Sequence, residues 1–274
     1  MNISHFKKVY QGLKSHHGEV SKVEDHIVVE EALQINLNGK PFTVTMRTPG
    51  SDRYLIRGLL FTEGIYTGQD ALKMKAIEFT EEGYPAIVNV SIPPSEIGGA
   101  YYQTRSMLSV SSCGICGKRE LTDLLQGGDP LNDELKMELS IISKMFTKMK
   151  KLQVAFHCTG GSHAAAVFTE SGELIAIQED IGRHNAVDKV IGHLINEGQL
   201  DKVKCILVSG RISYEIVSKT YKAGISFLAA VSSPSSLSIE SARGMGITLM
   251  AFCRGEAITC YTHEDRIVLT QLTP

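Results

Sequence analysis

The stretch Cys205-Ile206-Leu207-Val208-Ser209-Gly210-Arg211-Ile212-Ser213-Tyr214-Glu215-Ile216-Val217-Ser218-Lys219-Thr220-Tyr221-Lys222-Ala223-Gly224-Ile225-Ser226-Phe227-Leu228-Ala229-Ala230-Val231 decides the fold class. Its two short, continuous apolar runs, 205–208 and 227–231, suit strands buried on both faces. Between them the spacing predicts a helix from Ser213 to Lys222, stopped by Gly224. Strand, helix, strand at this spacing makes a parallel pair with a crossover helix.

The same alternation extends in both directions. Downstream, a helix is expected near Ile239–Arg243 and strands at Leu249–Phe252, Ile258–Tyr261 and Ile267–Leu269. Upstream, strands are expected at Val154–His157, Ala164–Phe168 and Leu174–Gln178, followed by a helix at His184–Asn196 stopped by Gly198. Before them, residues 133–151 read as one amphipathic helix with Leu135, Leu139, Ile142, Met145 or Phe146, and Met149 on its apolar face. The expectation is an α/β domain, its mixed or parallel sheet carrying helices on its faces.

Gln126-Gly127-Gly128-Asp129-Pro130 is the best boundary, and the character changes across it. The first part reads as β-rich. Alternating Leu33, Ile35 and Leu37 lead through Asn38-Gly39, a hairpin turn, into Phe42–Met46. Thr48-Pro49-Gly50 breaks that strand, a helix opens at Ser51-Asp52, and strands follow at Ala76–Phe79 and Ala86–Ile92. Residues 1–20 are polar and read as a loosely held arm, 21–128 as a smaller β-rich domain, and 129–274 as the α/β domain.

Over its 274 residues the chain carries 28 Lys plus Arg against 30 Asp plus Glu, a net charge of −2, so no general attraction to nucleic acid or an anionic membrane is expected. No apolar run reaches the ~20 residues of a membrane-spanning helix. The start, Met1-Asn2-Ile3-Ser4-His5-Phe6-Lys7-Lys8, lacks the apolar core of a secretory signal. Six cysteines in such a chain are not a disulfide framework, and a reducing cytoplasm is expected. Cys205 and Cys260 read as small buried hydrophobes.

Chemistry is carried by Ser111-Ser112-Cys113-Gly114-Ile115-Cys116-Gly117-Lys118-Arg119, which ends the β-rich part. Glycines space the thiols and two basic residues follow, a setting that favours the thiolate. Four junctions of the α/β part add glycines and small polar residues: 158–163, 179–185, 209–213 and 232–236. Glycine lets backbone N–H groups approach an anion, and Arg183 and Arg211 can each grip a phosphate. None is a Walker loop or a complete Gly-x-Gly-x-x-Gly. Gly160, Gly161, His163, Arg183 and Arg211 are therefore candidate ligand contacts. His163, Glu179, Asp180 and His184 also invite an acid–base reading, which ranks below structural hydrogen bonding.

Four readings of the thiol pair stand beside one another. A redox dithiol would sit at a helix start early in a βαβ unit, and this pair precedes the α/β part. Structural zinc needs a second pair of ligands. A zinc deaminase needs His-x-Glu and Pro-Cys-x-x-Cys, whereas Ala164-Ala165 follows His163 and Ser112 precedes Cys113. Sulfur transfer suits an exposed, activated thiol with a neighbouring thiol to release its cargo.

In order along the chain, Ser112-Cys113-Gly114-Ile115-Cys116-Gly117, Thr159-Gly160-Gly161-Ser162-His163-Ala164, Glu179-Asp180-Ile181-Gly182-Arg183-His184-Asn185-Ala186-Val187-Asp188-Lys189, Ser209-Gly210-Arg211-Ile212-Ser213 and Ser233-Pro234-Ser235-Ser236-Leu237 resemble the FdhD family, the formate dehydrogenase accessory sulfurtransferases. The likeness spans nearly everything after about residue 24. It implies a cytidine-deaminase-like C-terminal domain without the deaminase metal, so no metal of its own is expected. It also implies a sulfur carrier that accepts sulfur from a cysteine desulfurase. The carrier would deliver that sulfur to the molybdenum cofactor, bis-molybdopterin guanine dinucleotide, before its insertion into formate dehydrogenase. By that likeness Cys113 carries the persulfide with Cys116 as partner, Phe252-Cys253-Arg254-Gly255-Glu256-Ala257 contacts the cofactor, and the protein is a homodimer. Thr259-Cys260 departs from the family, whose members often carry Asn before the closing Tyr-Thr.

Overall fold

The computed structural model describes residues 6–68, 70–101 and 129–269. The chain begins with strands β1 (Lys7–His16) and β2 (Glu19–Val28), which pair as an antiparallel hairpin. There follow β3 (Glu31–Leu37), β4 (Lys40–Arg47), helix α1 (Asp52–Thr62), β5 (Lys73–Phe79) and β6 (Pro85–Ser91). These four strands form a sheet in the order β4-β3-β6-β5. Asn38 and Gly39, both at positive φ, make the predicted turn between β3 and β4. One face of this sheet buries Leu33, Ile35, Leu37, Val88 and Val90 against Leu55, Ile56 and Leu60 of α1.

Beyond Asp129 come β7 (Met137–Glu138), α2 (Leu139–Leu152), α3 (Val154–Thr159), β8 (His163–Phe168), β9 (Leu174–Asp180) and α4 (Arg183–Asn196). Next are β10 (Cys205–Val208), α5 (Tyr214–Lys222), β11 (Phe227–Ala230), α6 (Ser236–Gly244), β12 (Thr248–Arg254), β13 (Ala257–Cys260) and β14 (Ile267–Val268). Six strands form a mixed sheet in the order β13-β12-β11-β10-β8-β9, with β10, β11 and β12 parallel. Both faces are covered, which is why its central strands read as unbroken apolar runs. Ile206, Val208, Leu228 and Leu249 face Val187, Val190 and Ile191 of α4 and Ile216 and Val217 of α5. Cys205, Leu207, Phe227 and Met250 face Ile142, Met145, Phe146 and Met149 of α2. The fold is thus α/β, a mixed sheet with flanking helices preceded by a β-rich region. No helix among the described residues is long and apolar enough to cross a membrane.

The β-rich region docks on the larger sheet through α1 and α4, which cross on glycines. A Cβ added at Gly58 would lie 1.8 Å from the Asp188 carbonyl oxygen, and one at Gly192 would lie 1.9 Å from that of Tyr54. Beside the crossing, Lys219 donates to both oxygens of Asp188 at 2.8 and 2.9 Å and to the Thr62 hydroxyl at 2.9 Å. Burial works against the Lys219 ammonium, but Asp188 and Glu63 outweigh it and hold its pKa above the usual lysine range.

Three expectations are corrected. Residues 7–16 are not a loosely held arm but strand β1, tied at its base by a bond from the Val29 N–H to the Phe6 carbonyl of 2.8 Å. Residues 154–159 are a helix rather than a strand. The Glu179 carboxylate accepts from the Ala155 and Phe156 N–H groups at 2.8 and 2.9 Å, which satisfies the first turn of α3. The predicted helix over 133–151 begins only at Leu139. Asp133 accepts from the Leu135 N–H and the Ser226 hydroxyl, and Met137 pairs with Ile267, so that segment is held extended.

Candidate functional site

Strand register brings the predicted junctions to one edge of the large sheet. Val208 pairs with Ala230, so β10 and β11 end together, while Ala229 pairs with Met250 and β12 runs on past them to Arg254. Val208 also pairs with Ala165, and His163 with Asp180, so the start of β8 and the end of β9 lie at that edge too. In an open α/β sheet this is where ligands gather. Backbone bonds stitch the loops. The Ile212 N–H donates to Ser233 and the Ser235 N–H to Ile212, at 3.1 and 3.0 Å. The Phe252 N–H donates to Ser232 at 3.2 Å.

At the β8–β9 end lies a cleft of about 220 Å³ lined by Glu30, Met46, His163, Ile181, Gly182, Arg183, His184 and Asn185. It sits over the N-terminus of the fourteen-residue helix α4. Asp180 builds the entry to that helix. Its Oδ1 accepts from the Gly182 N–H at 2.8 Å and from Asn185 Nδ2 at 3.1 Å. Its Oδ2 accepts from the Thr48 N–H at 3.1 Å and pairs with Lys189 at 2.7 Å, with both side chains fully buried. Glu179 likewise holds α3 and the Ser162 hydroxyl. Both carboxylates thus act as structural acceptors.

The cleft itself presents the Arg183 guanidinium, the Glu30 carboxylate and the imidazoles of His163 and His184. Burial, reinforced by the nearby Arg183 guanidinium, lowers the His163 pKa below the usual histidine range. Its ring is therefore neutral at pH 7 and available as a hydrogen-bonding group. Gly210 makes room for this pair, since a Cβ there would lie 3.2 Å from His163 Nδ1 and 3.3 Å from Arg183 Cβ. The buried Arg183 Nε has no hydrogen-bond partner among the described residues. His184 Nε2 lies 2.8 Å from Glu215 Oε2 and 3.1 Å from Ser213 Oγ. Among the described residues, no three His, Cys, Asp or Glu side chains are grouped to hold a metal ion.

The other candidates divide. Gly160 is the left-handed cap of α3, and Gly161 gives way to Val28, whose Cγ1 lies 2.8 Å from where a Cβ would stand. Both shape the rim of the edge. Arg211 is exposed between the cleft and β12. Phe252–Ala257 is the β12–β13 hairpin, three strand positions from β8, about 14 Å away. There Phe252 and Gly255 have positive φ, Arg254 Nε donates to the Val231 carbonyl at 3.2 Å, and Glu256 and Ala257 are exposed. Cys253 turns inward, where burial pushes its thiol up to about 12, so it is no nucleophile. Cys113 and Cys116 lie outside the described residues. Glu30, Met46 and Thr48 come from the β-rich region, Met46 on β4 and the other two just before β3 and just after β4, far from the motifs in sequence.

A model of the FdhD/NarQ family matches residues 28–268. The chain belongs to the FdhD/NarQ family. Family relatives are close over nearly their whole length. The sulfur carrier protein FdhD of Sulfolobus acidocaldarius is 42% identical over 247 residues, 90% of this chain and 92% of that one. The protein of the same name from Streptomyces avermitilis is 40% identical over 260 residues, 92% of each chain. A crystal structure of a Desulfotalea psychrophila protein, assigned as a formate dehydrogenase accessory protein, superposes with a TM-score of 0.74. It covers 96% of this chain and all of that one at 21% identity, which supports the family fold.

Proposed function

We propose that this FdhD/NarQ member is a sulfur carrier whose working thiol is Cys113. The observation that carries the reading is the Cys113-Gly114-Ile115-Cys116 pair, glycine-spaced and followed by Lys118-Arg119, in a chain about 40% identical to proteins named sulfur carriers.

The donor is a cysteine desulfurase. The Cys113 thiolate attacks the terminal sulfur of the desulfurase persulfide. An S–S bond forms to Cys113, the donor's S–S bond breaks, and the donor cysteine leaves as a thiolate. For release, the Cys116 thiolate attacks Cys113 Sγ and expels hydrosulfide to the acceptor. A Cys113–Cys116 disulfide remains, which a dithiol reductant returns to two thiols. The acceptor is molybdenum-bound bis-molybdopterin guanine dinucleotide, and the client is formate dehydrogenase in the cytoplasm. The protein works as a homodimer.

Two cationic stations on one strand edge support an extended, phosphate-bearing ligand: Arg183 with His163 at one end, Arg254 at the other, and Arg211 between. The α4 N-terminus adds backbone donors for a phosphate.

The test is intact-protein mass spectrometry after incubation with a cysteine desulfurase and cysteine, followed by peptide mapping. A reductant-sensitive gain of one sulfur on Cys113, absent in Cys113→Ala, is expected. A chain that gains no sulfur while Cys113 and Cys116 join would favour a dithiol oxidoreductase instead. For the ligand, Arg254→Ala should weaken binding of guanosine diphosphate, and an unchanged titration would remove that station.

A further inference from the structure

The β1–β2 hairpin is built to pair with something. Each strand is ten residues long, so the arm extends about 33 Å. Among the described residues it forms a sheet of two strands only, and most of its side chains are exposed. A lone two-stranded hairpin is marginal in water, and both outer edges of this one present unpaired backbone groups. Nor is its surface that of a solvated arm. Leu13 is 75% exposed and Val20 66%, and they lie on one face with Val9. The base, by contrast, is firmly seated. Phe6 and Val29 are buried, Val28 packs on Gly161, and Lys8 bonds Glu82 at 2.7 Å. A rigid base with an uncovered, partly apolar blade is the form of an association arm. Much of it, residues 7–27, also precedes the stretch matched by the family model.

The sequence of the two edges selects the occupant. The charged side chains of β1 are Lys7, Lys8 and Lys14, so two β1 edges would repel. β2 reads Glu19-Val20-Ser21-Lys22-Val23-Glu24-Asp25-His26-Ile27-Val28 and is self-complementary. In an antiparallel pair of two β2 strands, related by a two-fold axis normal to the sheet, each residue faces one of the same alternation. With the axis at Val23, Lys22 faces Glu24 of the other copy, twice by symmetry. Ser21 faces Asp25, Val20 faces His26, Glu19 faces Ile27, and Val23 meets Val23. Moving the axis to Lys22 sets Lys22 on Lys22 and Glu19 on Asp25. Moving it to Glu24 sets Glu24 on Glu24. Opposite charges directly across a sheet stabilise and like charges destabilise, so the axis at Val23 is favoured.

We propose that two copies of this chain associate by joining their β2 edges into a continuous four-stranded sheet centred on Val23. This deepens the homodimer reading above by naming the interface, and it is independent of the sulfur chemistry.

Sedimentation analysis of the full chain tests it with a charge swap. The unaltered chain is expected to be a dimer. Lys22→Glu and Glu24→Lys each create two like-charge contacts and should raise the dimer dissociation constant about tenfold or more. The double variant K22E/E24K should restore the dimer. So should an equimolar mixture of the two single variants, because each then meets an opposite charge. Both positions are exposed, and circular dichroism checks that every variant is folded. A dimer indifferent to both reversals, or one that the double swap fails to restore, overturns this interface while leaving the homodimer reading standing. A monomer at every concentration overturns both.

Discussion

Replacing Gly58 by alanine probes the contact that joins the two sheets. The added Cβ would sit 1.8 Å from the Asp188 carbonyl oxygen, 2.6 Å from its carbon and 2.9 Å from the Gly192 nitrogen. Those are backbone atoms of α4, so no side chain can rotate aside. Reaching an ordinary contact of 3.4 Å from 1.8 Å requires the helices to part by about 1.6 Å. Overpacking of this kind costs roughly 1–3 kcal/mol, and a backbone-on-backbone clash belongs at the upper end. Alanine's better helix propensity returns about 1 kcal/mol. The net loss is about 2 kcal/mol, or roughly 4–8 °C in Tm for a chain of this size. Parting the helices also stretches the Thr62–Asp188 bond, now 2.7 Å, which adds to the loss. Urea unfolding followed by circular dichroism measures the change. Gly244→Ala at the end of α6, where an added Cβ meets nothing within 4 Å, is the control and should be neutral or slightly stabilising. Because Gly192→Ala opens the same crossing, the double variant should lose less than the sum of the singles. A Gly58→Ala protein as stable as the unaltered chain would refute the close crossing.

Lys219→Met should cost about 3–5 kcal/mol in urea unfolding, because it leaves the buried Asp188 carboxylate with only the Thr62 hydroxyl. Adding Asp188→Asn should recover part of that loss, and no recovery would mean the charge was not the cause. Stability should also fall as pH drops below about 6.5, the histidine value in an unfolded chain. Burial lowers the pKa of both His163 and His193, so in that window the unfolded chain binds protons that the folded one refuses. His163→Gln should flatten part of the pH dependence of Tm, and an unchanged profile would assign it elsewhere. Alkylation of the native protein at pH 8 should modify Cys158, which is exposed, and spare Cys205 and Cys253, whose thiols burial has raised. Labelling of Cys253 at the rate of Cys158 would contradict its burial beneath the β12–β13 hairpin.

Where the sequence was legible, a local rule and the tertiary environment agreed. Residues 205–208 are apolar throughout because α2 covers one face and α4 and α5 the other, so their pattern announced a doubly covered strand. Three of the four loop junctions were legible because glycine and small polar residues mark strand-to-helix turns, and β9, β10 and β11, which feed them, run the same way and end on one edge; 158–163 joins them because it leads from α3 into the start of the antiparallel β8. What was illegible depends on partners distant in sequence. The apolar content of residues 154–157 suits a strand, yet Glu179 supplies the acceptors that start a helix there. Residues 7–16 alternate only weakly, and their extended form rests on register with β2. The cleft itself is the clearest case. Its Arg183 and His163 wall could be named from motifs, but Glu30 and Met46 arrive from the β-rich region. They are held there by Thr48 on Asp180 and by α1 pressed onto α4 at Gly58 and Gly192. Neither glycine stands out in the sequence, since each sits unmarked inside a helix. Their meaning lies in the backbone that approaches them, and that approach brings the first sheet against the cleft. A variant that parts the helices should therefore weaken anion binding at Arg183 together with stability, whereas Gly244→Ala should move neither downward.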